Sequence, residues 1–183
     1  MIFPAIDIIR FEMAASGISV ELGNIGEIVS SGTNNHGATS DIVISLINIE
    51  EIRMTRDPLN YLRKDNGILL KNPAVHLYLT LLFTSVRDAG YGISLQNIQK
   101  VIEFFQRKYV FDRSNTPNLD ENIEKLVLDM VSLNIEQLHQ LWSMLGGKYH
   151  PSVAYRMNMV TIDSVTDKAG SLIKEIEAHH TLK

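Results

Sequence analysis

The chain is 183 residues long, 45% hydrophobic and 21% charged, carries a net charge of −4 at pH 7 and has no cysteine. This length and composition are typical of one globular domain that buries a sizeable core. The missing cysteine excludes disulfides, thiolate catalysis and cysteine-ligated metals, and the acidic balance disfavours nucleic-acid binding, which needs a concentrated basic face.

The N-terminal residues predict a helix followed by a hairpin. Pro4–Ala15 repeats apolar residues at helical spacing, and Gly17 follows as a helix stop. Ile18–Leu22 and Ile25–Val29 are short β-prone segments on either side of Gly23-Asn24, which is a turn sequence. We therefore expect these two segments to pair with each other.

Two apolar strands and two polar connections follow. Asp41–Ile52 is apolar on both faces, which predicts an interior strand, and Val75–Phe83 predicts a second strand. Ser30–Ser40 is polar and contains glycine, so we expect a loop there. Arg53–Gly67 is charged and contains Pro58, which predicts a long projecting connection.

A helix and a third long strand are predicted next. Ser94 is expected to cap a helix that runs to Lys108 and buries an apolar stripe. The residues of that stripe are Leu95, Ile98, Val101, Ile102 and Phe105. A short extended piece at Tyr109–Asp112 and a loop at Arg113–Asn122 lead to the strand Ile123–Leu133.

The stretch Asn134–Asp163 contains the clearest local signals. Asn134 and Gln137 have the spacing of a capping box, and the apolar residues after them recur at helical spacing. Gly146-Gly147 can adopt the left-handed conformation that ends a helix. After Pro151 the apolar period changes to two, so we expect the chain to continue as a strand.

Together these elements predict an α+β fold. We expect a single domain over residues 1–163, with a mainly antiparallel or mixed sheet of about four main strands flanked by helices. Apolar residues recur at helical spacing between Val165 and Ile176. Residues 164–183 are therefore predicted to form a C-terminal helical extension.

No pattern in the sequence indicates catalysis or a bound cofactor. The six histidines lack zinc-ligand spacing, and the adjacent carboxylates of Glu50 and Glu51 point to opposite faces of a strand. Gly146-Gly147-Lys148 lacks the first glycine and the hydroxyl residue of a phosphate-binding loop. We therefore expect no enzyme, no metal and no cofactor, while a small hydrolase or ligand-binding domain stays open as an alternative.

The sequence also lacks the patterns of secreted and membrane proteins. Pro4, Asp7 and Arg10 interrupt any apolar core near the N-terminus, and no basic segment precedes them. The longest apolar run, Val75–Phe83, is too short to span a bilayer. We therefore expect a protein that is made in the cytoplasm and has neither a membrane nor a nucleic acid as partner.

Four motifs occur in the order known from one protein family. They are SLINIEEIRMTRDP at 45–58, LLKNPAVHLYLTLLFT at 69–84, IQKVIEFFQRKYVFDRSNTP at 98–117 and LHQLWSMLGGKYHPSVAYRMNMVTID at 138–163. Over residues 4–163 the chain resembles the N-terminal domain of the cap, or tail-terminator, proteins of contractile injection systems. Antifeeding prophage and Photorhabdus virulence cassette particles contain such caps.

The resemblance implies a structural protein with a phage tail-terminator-like fold. Such caps form a hexameric ring at the distal end of the inner tube and sheath, where they stop polymerisation and anchor the last sheath layer. The implied partners are other copies of the chain, the inner tube protein and the sheath protein, in a phage tail-like particle that is released or cell-associated. Several family members have a long extension that this chain lacks, so both a short-form cap and one of two cap paralogues in a particle stay open. A baseplate or assembly accessory role on the same fold stays open as well.

Seven residues are predicted to contact these partners. Four basic residues cluster in the charged connection of an otherwise acidic protein, and we expect them to meet acidic surfaces on the tube or sheath. Three more residues lie in or just after the helix that carries the only tryptophan. That tryptophan is expected in the core, and a subunit interface is its alternative place. The two groups are Arg53, Arg56, Arg63 and Lys64, and Trp142, Lys148 and Tyr149. A free strand edge could also pair with a terminal extension of a neighbour.

Overall fold

A computed structural model of the chain describes residues 1–30, 40–52, 61–64, 67–71, 76–86, 90–161 and 165–170. Helices and strands are interspersed along these ranges. The elements are α1 (Ile2–Ala15), β1 (Val20–Leu22), α2 (Ile25–Ser30), β2 (Ile42–Glu51), β3 (Tyr61–Lys64), β4 (Gly67–Lys71), β5 (His76–Ser85), α3 (Tyr91–Arg107), β6 (Val110–Asp112), β7 (Ile123–Val131), α4 (Ile135–Met144), β8 (Ser152–Thr161) and β9 (Val165–Gly170).

A six-stranded mixed sheet is the centre of the fold. Its strand order is β1-β2-β5-β8-β7-β6. β1 runs parallel to β2, and every other neighbouring pair in this sheet is antiparallel. The four long strands lie in the middle, and the strands at the two edges have only three residues each. The predicted α+β domain with four main strands flanked by helices is confirmed.

The first face of the sheet, defined as the one covered by α1 and α3, holds the larger core. Side chains of α1 and α3 pack there on alternate residues of β2, β5, β7 and β8. The rings of Phe83, Phe105 and Tyr155 form its centre, with centroid separations of 5.2 Å, 5.7 Å and 4.4 Å. Aromatic rings in such edge-on and tilted contacts add to the stabilisation that burial provides.

The second face is covered over only part of its area. There α2 and α4 pack on Val43, Leu82 and Ala154, and Trp142 of α4 lies in this smaller core. The predicted alternation of the β5 strand is confirmed, because Leu79, Leu81 and Phe83 point to the first face.

The predicted hairpin of residues 18–29 is wrong. Residues from Ile25 onward form α2, and β1 pairs in parallel with β2 instead. The Asn24 side chain accepts a hydrogen bond from the Gly26 N–H at 3.1 Å, and the Ser45 hydroxyl accepts one from the Ile25 N–H at 3.1 Å. Asn24 therefore begins a helix rather than a turn, because its oxygen satisfies a free N–H group of the first turn.

Two predictions between residues 41 and 67 need correction, one for a strand and one for a connection. β2 is buried on both faces only from Ile42 to Ser45, and its later residues are largely exposed. The predicted connection Arg53–Gly67 contains a strand, β3, which pairs with β4 in a separate antiparallel sheet of order β3-β4-β9. Residues 53–60 and the predicted loop residues 31–39 lie outside the described residues.

The α3 helix begins earlier than predicted and is rotated. Gly90, with φ of 99°, precedes the helix, and Ser94 is buried within its first turn instead of capping it. Leu95 is 47% exposed, whereas Asn97 is 4% exposed. Phe104 and Phe105 pack on the sheet and so set the rotation of the helix. Leu95 therefore points outward, although the apolar pattern of the first turn predicts its burial.

The predicted C-terminal helix is wrong for residues 165–170. These residues form β9, which pairs antiparallel with β4. Pairing with a neighbouring strand overrides a helical apolar period, because such a period is a weak preference. Residues 171–183 lie outside the described residues, and the division between 1–163 and 164–183 stays a prediction.

Candidate interaction surfaces

The ends of α4 are held by the hydrogen bonds that its sequence predicts. The Gln137 N–H donates to the Asn134 side chain at 2.8 Å, and the Asn134 N–H donates to the Gln137 side chain at 3.0 Å. Gly146 and Gly147 follow the helix with φ of 108° and 78°. The Gly147 N–H donates to the Trp142 carbonyl at 2.7 Å. The predicted capping box and glycine stop are both confirmed.

Three of the seven predicted interface residues meet beside this turn. The ring of Trp142 is 5.8 Å from the ring of Tyr149 and 5.7 Å from that of His150. Trp142 is 4% exposed and Tyr149 is 56% exposed, and Lys148 is exposed as well. Trp142 therefore supports the surface from the core, and a partner would touch Lys148 and Tyr149. That contact stays a prediction.

The four predicted basic residues are divided between described and undescribed parts of the chain. Arg63 and Lys64 lie in β3, where they pair with Ile68 and Gly67 of β4. Arg53 and Arg56 lie outside the described residues. The structure therefore places half of this group on a strand, and the proposed contact with acidic partners stays a prediction.

The uncovered part of the second face is polar. The Arg156 guanidinium lies over the Tyr78 ring at 5.4 Å from its centroid. Arg156 pairs across the sheet with Thr80 on one side and Asp129 on the other. The Oδ1 atom of Asn158 is buried here without a hydrogen-bond partner. This area is a second accessible surface, and its polar side chains are suited to hydrogen bonds and ion pairs with a partner.

A metal site would need several acidic or histidine side chains to converge among the described residues. No group of three or more His, Asp or Glu side chains that could hold a metal occurs among them. Hydrogen bonds from the Ser114 hydroxyl and N–H lower the pKa of Asp112, and bonds from Asn122 lower the pKa of Asp120. Burial raises the pKa of the Tyr155 phenol. These shifts follow from turn geometry and core packing.

No helix in the described ranges is long and apolar enough to cross a membrane.

Sequence reasoning missed a set of exposed apolar side chains at the sheet edges. Leu46 and Ile49 on β2 are 38% and 48% exposed, and Met130 on β7 is 49% exposed. All three belong to apolar strand patterns that predict burial. Their exposure depends on how far the edge strands β1 and β6 extend along β2 and β7. The sequences of β2 and β7 do not contain that information.

The comparison with known proteins agrees with this architecture. A family model described as the Pvc16 N-terminal domain matches residues 7–175. No curated protein is similar enough to match the chain. The chain is similar to the sheath/tube terminator, in its extended state, of PVC, an extracellular contractile injection system. That similarity has a TM-score of 0.59 at 15% identity, and it covers 100% of this chain and 65% of that chain.

A second solved structure, the tube terminating cap of the anti-feeding prophage, is also similar. It has a TM-score of 0.50 at 14% identity, with 75% of this chain and 48% of that chain covered. The chain thus spans less than two thirds of the length of either structure, and at these identities the likeness shows the fold. The predicted resemblance and fold are confirmed, and the chain belongs to the Pvc16 N-terminal domain family.

Proposed function

We propose that this chain is a structural terminator of a contractile injection system, which binds at the end of the inner tube and sheath and stops their polymerisation. The match of the whole chain to the PVC sheath/tube terminator, with a TM-score of 0.59, carries the proposal. Fold alone does not define function, because one fold serves many functions. Membership of the Pvc16 N-terminal domain family supports a structural role for the chain.

In the proposed particle the chain forms a hexameric ring that anchors the last sheath layer. Identical subunits close a ring only through heterologous contacts, in which one surface of each copy meets a different surface of the next. The partners are other copies of the chain, the inner tube protein, the sheath protein and, in a particle with two caps, a second paralogue. The chain is made in the cytoplasm and becomes part of a phage tail-like particle.

Deletion of the gene followed by negative-stain imaging of the particles tests the proposal. We expect tubes of variable length or particles that lose their sheath, because growth is no longer stopped at the distal end. Particles that lack a baseplate would instead support an assembly role at the other end. Normal particles of normal length would contradict the proposal.

Charge reversal tests the basic residues as contacts to acidic tube or sheath surfaces. The variant reverses the four basic residues of the 53–64 region, Arg53, Arg56, Arg63 and Lys64. The matched control reverses four basic residues that lie outside the candidate surfaces, Lys100, Arg107, Arg113 and Lys125, all exposed. We expect only the first variant to lose capped particles, since like charges across an interface are repulsive. Equal loss for both variants, or none for the first, would exclude a specific contact.

A further inference from the structure

The helix α4 is held to the second face by a small part of its surface. Of its ten residues one is buried, Trp142, at 4% exposure. Leu138, Leu141 and Leu145, which follows the helix, are half-buried against the smaller core. The helices on the first face, α1 and α3, bury five residues each. A single tryptophan is therefore the main anchor of α4.

Hydrogen bonds do not tie α4 to any other described element. The capping box closes the start of the helix, and the Gly147 N–H donates to the Trp142 carbonyl at its end, so both ends are satisfied within residues 134–147. The neighbouring helix α2 differs, because its Ile25 N–H donates to the Ser45 hydroxyl of β2 at 3.1 Å. Among the described residues, side-chain packing alone holds α4 in place.

The buried tryptophan lacks an acceptor for its ring N–H. The Nε1 atom of Trp142 is buried and donates to no described group. Such an N–H gives up its hydrogen bond to water when the ring is buried. This loss offsets part of the stabilisation that burial of the ring provides. Release of Trp142 into water therefore costs less than release of a tryptophan whose N–H is satisfied.

The connections at the two ends of α4 allow the helix to move. Gly146 and Gly147 follow it with φ of 108° and 78°. Glycine adopts conformations of either sign of φ, so the chain can change direction here at little cost. At the other end residues 132–134 separate α4 from β7. Displacement of α4 therefore does not require displacement of β7 or β8.

We propose that α4 is a detachable cover of the second face, which leaves the sheet as one unit while the six-stranded sheet stays folded. Opening uncovers strand residues of the smaller core, among them Leu82 and Ala154, which are 1% and 6% exposed in the closed form. Elements that bury few apolar contacts open at a lower free energy than the whole fold. The proposal does not depend on the terminator role.

Hydrogen exchange of the full chain tests the proposal. A helix as short as α4 is marginal in water once it is detached, so its N–H groups exchange in the open form. We expect residues 138–145 to be protected about 100-fold less than the central strands β5 and β8. Low urea concentrations should accelerate exchange throughout α4 by one common factor, because one opening exposes surface along the whole helix.

Two outcomes of this experiment would overturn the proposal. Equal protection of α4 and the central strands would mean that α4 opens only when the whole fold unfolds. Exchange in α4 that does not respond to urea would mean that its N–H groups are released one by one, without departure of the helix from the sheet.

A disulfide between α2 and α4 provides a matched control, since the chain has no native cysteine. A Cβ at Gly26 would lie 4.0 Å from the Leu145 Cα, which is within the range that a disulfide needs. Gly26→Cys with Leu145→Cys should protect α4 about tenfold more when oxidised than when reduced. Equal exchange in the two forms, with the bond verified by mass, would contradict a detachable helix.

Thiol labelling measures the same opening from the side of the sheet. Ala154→Cys places a thiol in the smaller core, and Ala5→Cys places one in the larger core, where Ala5 is 0% exposed. We expect a thiol reagent to react about tenfold faster with Ala154→Cys than with Ala5→Cys. Urea unfolding corrects for any difference in global stability between the two variants. Equal corrected rates would overturn the proposal.

Discussion

The ammonium group of Lys108 lies 2.9 Å from the Glu12 carboxylate and so joins the end of α3 to the end of α1. Lys108 also donates to the Asn115 carbonyl at 2.9 Å and lies over the Phe111 ring at 5.0 Å from its centroid. The side chains of Lys108 and Glu12 are 25% and 20% exposed, so solvent screens the pair only in part.

We expect Lys108→Met to destabilise the fold more than Glu12→Gln does. The first change removes three contacts and should cost about 2 kcal/mol, and the second removes one ion pair and should cost about 1 kcal/mol. Asp7→Asn is the control, because the Asp7–Arg10 pair is more exposed and should contribute only about 0.3 kcal/mol. Urea unfolding measures all three, and equal losses for Glu12→Gln and Asp7→Asn would contradict the expectation.

The capping box of α4 gives a second prediction. Asn134→Ala removes the acceptor of the Gln137 N–H and should lower the free energy of unfolding by about 1 kcal/mol. Ile135→Ala is the neighbouring control, because Ile135 is 87% exposed and loses little contact. Thermal unfolding should show a lower midpoint for the first variant only. A similar shift for both variants would mean that the cap contributes nothing specific.

Two glycines should respond to alanine with opposite signs. Gly147 has φ of 78°, where an added Cβ is strained although nothing lies within 4 Å of it. Gly147→Ala should therefore cost about 1 kcal/mol. Gly92 lies in α3 with equally open space around an added Cβ and without a positive φ. Gly92→Ala should stabilise the fold by about 0.5 to 1 kcal/mol, because alanine loses less conformational entropy in a helix. Chemical denaturation measures the free energy of unfolding of both variants. Changes of the same sign would contradict a role for backbone conformation at these two glycines.

Asp112 makes the stability of its turn dependent on pH. Hydrogen bonds from the Ser114 hydroxyl, and then from the Ser114 N–H, lower its pKa below the ordinary value of 3.8. The folded state therefore favours the carboxylate. The stabilisation is complete above the pKa of the unfolded chain and is lost as the pH falls through the folded value.

Replacement by asparagine tests this dependence. Asp112→Asn should reduce the loss of stability that occurs as the pH falls below about 4, because the residue no longer titrates. Asp129→Asn changes the same charge at an exposed strand position and serves as the control. Unfolding curves over this pH range should differ from the parent protein only for Asp112→Asn. Identical acid profiles for the parent and Asp112→Asn would contradict the expectation.

The sequence by itself determined the local elements of this protein. The Asn134 capping box, the Gly146-Gly147 stop and the alternation of β5 and β8 depend on contacts between residues that are near in the chain. For that reason the α+β class and the four main strands could be predicted. The family could be predicted as well, from motifs that contain these elements.

Only the tertiary structure decided which elements meet and which faces stay open. β1 pairs with β2 instead of forming a hairpin, and β9 pairs with β4 instead of continuing as a helix. Leu95 turns outward because Phe104 and Phe105 pack on the sheet. Leu46 and Met130 have the same apolar pattern as their buried neighbours, and they are exposed because strands distant in sequence end too early to cover them. Burial depends on such distant partners, and the local periodicity of apolar residues does not show where those partners end.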